Sequence, residues 1–235
     1  MMAKSLSAIP RPRRRHAPHW QTAYWAAALL ILIAIVIAGL VYFSPPDSAQ
    51  ACYARGAAYY HKGNYDRAVA EFTRAIALEP GYAGAYLSRG LAYKDKGDYN
   101  RAIEDCNMAI ALKPDYADAY YVRGDTYYDD DYESAIADYD RAIALDPDFA
   151  DAYAKRGETF FDHADYGRAV ADFDTAISLQ PAYADTYTIR ERGVSRYFLK
   201  DYRGAWADMK HYQDIGGAPE PVFLREVERA SRTGQ

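Results

Sequence analysis

Residues 83–116 read AGAYLSRGLAYKDKGDYNRAIEDCNMAIALKPDY, and most of the chain is a set of variations on that stretch. Copies occupy 49–82, 117–149 and 150–183, with a divergent one over 184–217. A period of 34 residues built from two helical halves predicts an all-α solenoid, in which each unit buries its apolar face against its neighbours.

The residues that recur are chosen for size. A glycine stands at the eighth place of each copy (Gly56, Gly90, Gly124, Gly157), with an aromatic three residues later (Tyr59, Tyr93, Tyr127, Phe160). A tyrosine opens the second half (Tyr65, Tyr99, Tyr132, Tyr166), followed by alanines at Ala68, Ala102, Ala135 and Ala169, and at Ala75, Ala109, Ala142 and Ala176. Glycine inside a helix costs about 1 kcal/mol relative to alanine, so its return at one phase needs a packing reason. The expectation is a close approach of two antiparallel helices, the glycine of one meeting the paired alanines of the other. Larger Tyr, Phe, Ile and Leu side chains fill the remaining space. Pro80, Pro114, Pro147 and Pro181 end each second helix, because proline lacks the N–H and crowds the preceding turn.

This pattern resembles the tetratricopeptide repeat family over about residues 49–217. The resemblance implies a right-handed superhelix of helix pairs with a concave inner face. Copy three is one residue short near Asp130. In copy five Arg192 and Gly193 arrive two residues late, Arg196 replaces the expected aromatic, and the closing proline is lost near Gly216 and Gly217. A divergent terminal unit suits a cap that faces water, and residues 218–235 (with EPVFLREVERASR at 220–232) read as a capping helix and tail. Its three arginines beside apolar residues suggest docking against the acidic fourth and fifth repeats.

Each copy also carries an arginine just before its glycine and an acid on the second half: Arg55 and Glu71, Arg89 and Asp105, Arg123 and Asp138, Arg156 and Asp172, Arg192 and Asp208. Separations of 15 or 16 residues persist across the deletion and the insertion. These are read as ion pairs bridging the two helices of a unit. The alternative is that both charges are solvated and never meet.

The 235-residue chain has a net charge of −5 that is unevenly spread. Lys4, Arg11, Arg13, Arg14 and Arg15 give the first twenty residues +5; removing those five from the 28 basic residues leaves 23 against 33 acidic ones, or −10. Residues 1–19, rich in Pro and Arg, are expected to be a disordered cytoplasmic tail. Within 20–43, the 21 residues AYWAAALLILIAIVIAGLVYF carry no charge and are long enough to span a bilayer as a helix. Trp20, Tyr24, Trp25, Tyr42 and Phe43 flank the run where aromatics favour the interfaces. A cleaved signal peptide competes, through Ala49-Gln50-Ala51, but the apolar run exceeds a signal core of about 7–15 residues. An uncleaved anchor is preferred, with Pro45 and Pro46 in a stiff linker over 44–48. The positive-inside rule then puts the amino end in the cytoplasm; for a bacterium, the protein is a single-pass inner-membrane protein with a periplasmic solenoid.

No catalytic motif is present: there is no GxSxG, no phosphate loop and no HExxH. His61, His163 and His211 are scattered, and Cys52 and Cys106 occupy core slots of helices that should not be neighbours, so neither a metal site nor a disulfide is expected. Asp129-Asp130-Asp131 lacks the Gly and terminal Glu of a calcium loop and reads as a solvated turn. The chain is read as non-enzymatic, with no cofactor, no nucleic acid and no small-molecule substrate.

What remains is a surface. The family resemblance implies a groove lined by the second, fifth, sixth, ninth, twelfth and thirteenth places of each first helix. Those places give the aromatics Tyr53, Tyr60, Tyr121, Tyr128, Phe161 and Tyr197. They also give Asp95, Asp118, Asp125, Asp129, Asp151, Glu158, Asp162 and Asp185, opposed by Lys94 and Lys155. Aromatics in an acidic cleft suit a basic or amphipathic segment of a protein partner. A bland reading has the tyrosines sealing seams and the acids keeping the surface soluble. The carboxylate clamp of some family members is excluded, since Tyr53, Ala57, Ser88, Asp118 and Val122 stand where it needs Lys, Asn and Arg. The expected function is a membrane-anchored adapter supporting assembly or secretion of envelope complexes. The alternatives are a structural subunit of a stable membrane complex and an organelle receptor with cytosolic repeats.

Overall fold

The computed structural model describes residues 48–128 and 131–234. The expectations for 1–19, 20–43 and most of the 44–48 linker, and those for Asp129 and Asp130, lie outside the described residues. Eleven α-helices occur among them: α1 (Ala49–Tyr60), α2 (Tyr65–Leu78), α3 (Ala83–Asp95), α4 (Tyr99–Leu112), α5 (Ala117–Tyr127), α6 (Tyr132–Leu145), α7 (Ala150–Asp162), α8 (Tyr166–Leu179), α9 (Thr186–Phe198), α10 (Tyr202–Asp214) and α11 (Pro221–Thr233). There is no strand among the described residues, and none of these helices is long and apolar enough to cross a membrane.

Local chemistry sets the helix ends. Each second helix begins behind a side-chain cap: Asn64, Asp98, Asp131, Asp165 and Asp201 accept from backbone N–H groups of the first turn. The turn before α4 needs a left-handed residue, supplied by Gly97 at φ +77°, while Ala164 and Lys200 hold the equivalent position before α8 and α10 at φ +60° and +63°. At the other end, the residue before each proline folds its N–H back onto an alanine carbonyl, as Lys113 does with Ala109.

Consecutive helices pack on one another throughout. First helices of successive repeats also touch (α1 with α3, α3 with α5, α7 with α9), whereas no second helix makes comparable contact with the next second helix. The first helices therefore line the inner, concave side of the array.

The close approach differs from the sequence reading in what the glycine meets. A Cβ built on Gly90 would lie 3.2 Å from the Ala102 carbonyl oxygen and 3.3 Å from Asp105 Cβ, and one on Gly124 would lie 3.1 Å from both the Ala135 oxygen and the Tyr139 ring. Where an alanine joins this contact, as at Gly90 and Gly124, it is the first of its pair. It has no side chain beyond Cβ, so its bare backbone comes up to the glycine. The second alanine faces the next repeat instead: Ala75 packs with Cys52 and Ala85, and Ala109 with Leu87, Ala119 and Val122. The large residue at the glycine is the one four positions after the first alanine: Phe72, Cys106, Tyr139, Phe173 or Met209.

Between repeats four and five a 3-10 turn, Pro181–Tyr183, stands where residues 147–149 turn in the repeat before, and the two extra residues, Ala184 and Asp185, lie between it and α9. α11 does not enter the groove of repeats four and five. It packs on α10 where a sixth first helix would stand, burying Val227 with Ala205 and Met209 and flanked by Tyr197, Trp206, Phe223 and Leu224. Its apolar face is consumed by that cap, leaving Arg225, Arg229 and Arg232 exposed. Cys52 and Cys106 are free and fully buried, and burial pushes the Cys106 thiol up to about 12.

Replacing Gly90 with leucine should overpack the second repeat and destabilise the solenoid by about 1–3 kcal/mol. Thermal melting checks this, and an unchanged midpoint would remove the close-approach account.

Candidate functional site

The frame of the site is a row of guanidinium groups. Arg89 donates through Nε and Nη2 to both oxygens of Asp105, at 2.8 and 2.7 Å. Arg123 does the same to Asp138 at 2.7 and 2.6 Å, Arg156 to Asp172 at 2.7 and 2.8 Å, and Arg192 to Asp208 at 3.1 and 2.6 Å. Arg55 meets Glu71 through Nε at 2.8 Å. The bidentate fork matches a guanidinium to a carboxylate, and hydrogen bonding to Asp105 raises Arg89 above its ordinary value despite burial.

Four of these arginines, Arg89, Arg123, Arg156 and Arg192, do more than join the halves of their own repeat. The remaining Nη1 of each reaches back to the second helix of the preceding repeat: Arg89 to Thr73 at 3.0 Å, Arg123 to Asn107 at 2.5 Å, Arg156 to Asp140, and Arg192 to Asp174 at 2.7 Å. Arg196, in the place of the missing aromatic, adds bonds to Asp208 at 2.9 Å and Asp174 at 3.1 Å. Asp105, Asp138, Asp172 and Asp208 sit almost fully buried, with Asp138 6% exposed, whereas Asp140 and Asp174 face solvent.

On the concave side, tyrosines of one repeat bond to acids of the next first helix. Tyr60 donates to Asp95 at 2.6 Å, Tyr128 donates to Asp162, and Tyr197 donates to Glu226 of α11 at 2.7 Å. Tyr183 donates to Asp151, and Ser88 to the Tyr53 hydroxyl at 3.2 Å. Tyr53 packs on Phe72 and Tyr82, and Tyr121 on Tyr139 and Phe149. Phe161 lies edge-on to Tyr166. The cations of this face are taken: Lys94 pairs with Asp125, Lys155 with Glu158 at 2.7 Å, and Arg190 with Glu191. Asp95, Asp118, Asp151 and Asp162 have no cation partner among the described residues.

Burial is the first cause holding the Tyr121 phenol above its ordinary value, with Asp125, Asp151 and Glu158 adding to it. Burial likewise raises the Glu158 carboxyl; Lys155 opposes this, while Asp125 and Asp162 add to it.

The two-residue delay in repeat five changes one assignment. Asp185 does not line the groove: its carboxylate caps α9, accepting from the Thr188 N–H at 2.8 Å. Tyr187, Arg190 and Glu191 take the groove-facing places instead, and the delay of Arg192 was the signal that could have found them. Asp131 of the acidic run is the cap of α6. Among the described residues no group of three His, Cys, Asp or Glu side chains could hold a metal ion.

A family model described as TPR repeat matches residues 56–97, 90–131 and 129–164, and one described as tetratricopeptide repeat matches 150–183. Together they span more than half of the 235 residues. Among solved structures the chain is similar to MamA, with 26% identity over 68% of this chain and 93% of that one, at a TM-score of 0.61. It shares its fold with YrrB, described as a TPR protein with an unusual peptide-binding site, at 18% identity over 79% and 94% of the two chains and a TM-score of 0.60. It also shares its fold with PilF of Pseudomonas aeruginosa, at 18% identity over 79% and 86% and a TM-score of 0.68. No curated protein matches the chain.

Arg123→Ala should cost about 3 kcal/mol, because it leaves Asp138 buried without its partner. Urea unfolding of Arg123→Ala, Asp138→Ala and the double variant checks this. The second substitution should add little once the first is made, whereas additive losses would show that the two side chains act independently.

Proposed function

The chain belongs to the tetratricopeptide repeat family, whose arrays are scaffolds for protein–protein interaction, and from that premise we propose that it is a non-enzymatic, membrane-anchored adapter. Its concave face captures a basic or amphipathic segment of a protein partner. The observation that carries this reading is the charge left over inside the groove. Lys94, Lys155 and Arg190 each have an acid of their own, while Asp95, Asp118, Asp151 and Asp162 have no cation partner among the described residues. Lysine or arginine side chains would supply the missing charge, and the interleaved tyrosines would cover the apolar residues between them.

The anchor is residues 20–43, whose uncharged run and flanking aromatics support a single span with the arginines on the cytoplasmic side. In a bacterium the repeats then work in the periplasm, supporting assembly or secretion of envelope complexes. A reporter that is active only outside the cytoplasm, fused after Gln235, should be active; activity of a cytoplasm-only reporter at that position would reverse the orientation.

Capture is tested with the full chain in detergent and two synthetic peptides, one alternating lysine with leucine and one alternating glutamate with leucine. The lysine peptide should bind, more weakly as salt rises, and the glutamate peptide should not. Replacing Asp95, Asp118 and Asp151 together by asparagine should weaken the lysine peptide about tenfold. The amide oxygens can still accept the tyrosine hydrogen bonds, so the fold should persist. Equal binding of both peptides, or an unaffected asparagine variant, would refute the groove.

A further inference from the structure

Among the described residues one buried side-chain polar atom has no hydrogen-bond partner, the hydroxyl of Tyr139. The side chain is fully buried on the second helix of repeat three, and the other repeats place Phe72, Cys106, Phe173 and Met209 there, none with a hydroxyl. Phenylalanine would fill the same space without burying an unpaired O–H. The groups that act on this hydroxyl are Asp125, Tyr121, Glu158 and Tyr128, all on the first helices α5 and α7 or the turn that ends α5. The Tyr139 ring lies 6.1 Å from that of Tyr121 and against Gly124, both on α5, so the side chain sits beneath the concave side.

Above it the carboxylates gather. Glu158 is half-buried and works on the hydroxyls of Tyr121, Tyr128 and Tyr187, and Asp162 bonds to Tyr128 and also acts on Tyr187. Tyr187 is 40% exposed, so this cluster opens to solvent. Two cations stand near it among the described residues: Arg190, over the Tyr187 ring but paired with Glu191, and Lys155, which pairs with Glu158 three residues on along the same helix and is more exposed than that acid. A carboxylate whose charge is disfavoured by burial and by neighbouring acids gains most from a cation brought in from outside.

We propose that this cluster is a subsite for one cationic side chain, an arginine or lysine of the captured segment, seated against Glu158 and Asp162 and walled by Tyr121, Tyr128 and Tyr187. Lys155 occupies it in the free protein and is displaced to solvent when the segment binds. The incoming N–H groups meet the carboxylates, and the Tyr139 hydroxyl, buried in the free protein, accepts through one water only once Lys155 has moved aside. The ring faces contribute more here than on an open surface, because the cation is partly desolvated. This rests on the groove reading and names the point at which the groove selects.

The test uses the full chain and a short serine–leucine peptide with a single central arginine, against the same peptide with norleucine. The arginine peptide should bind about tenfold more tightly. Lys155→Met should tighten it further by removing the internal competitor. Tyr139→Phe should weaken it while raising the thermal midpoint, a combination that a purely structural tyrosine would not give. Equal affinity for the two peptides, or unchanged arginine-peptide affinity in both variants, overturns the subsite. If the lysine–leucine peptide still binds and still depends on Asp95, Asp118 and Asp151, the groove survives that result and only the subsite falls. If the arginine peptide shows both dependences while the asparagine variant binds normally, the subsite stands and the wider groove falls.

Discussion

A single guanidinium joins three helices at each step of the array. Arg123 holds Asp138 in its own repeat and Asn107 in the one before, and Arg89, Arg156 and Arg192 make the same reach. Glycine makes this possible, because Gly124 lets α5 sit against the backbone of Ala135 and brings Asp138 within range of the neighbouring arginine. A buried ion pair is a weak source of net stability, since desolvation offsets much of the attraction. Its worth here is angular. Five donors in a rigid plane fix how one helix pair is rotated against the next, and that rotation determines which side chains reach the concave face.

The concave face follows from that register. Tyrosines near the end of one first helix fall opposite acids on the next, so Tyr60, Tyr128 and Tyr197 each donate across a repeat boundary. These bonds occupy phenol protons and leave the carboxylate charges in place. The sealing role and the binding role of these side chains are therefore compatible: the same acids can hold a seam and present charge.

Much of this was legible in the sequence, because the array solves one packing problem several times. Glycine, alanine, arginine and proline recur at fixed phases, and the helix pairs and their boundaries follow. The arginine's backward reach was not legible, since its acceptor changes from Thr73 to Asn107, Asp140 and Asp174 and forms no motif. Nor could spacing show where the two extra residues before Arg192 would be absorbed; placing them after the Pro181–Tyr183 turn, as Ala184 and Asp185, makes Asp185 a cap and moves Tyr187 into the groove. Tyr139 reads in sequence as one more aromatic filler. Only its surroundings distinguish it from Phe72 and Phe173.

The most direct measurement is photocrosslinking in native membranes, with a photoreactive residue at Tyr121 or Tyr128 in the groove and a control at Tyr153 on a different face of α7. The account expects adducts from the two groove positions, with the attached peptide carrying arginine or lysine among apolar residues, and none from the control. Adducts on acidic peptides, or adducts from Tyr153 alone, would contradict it.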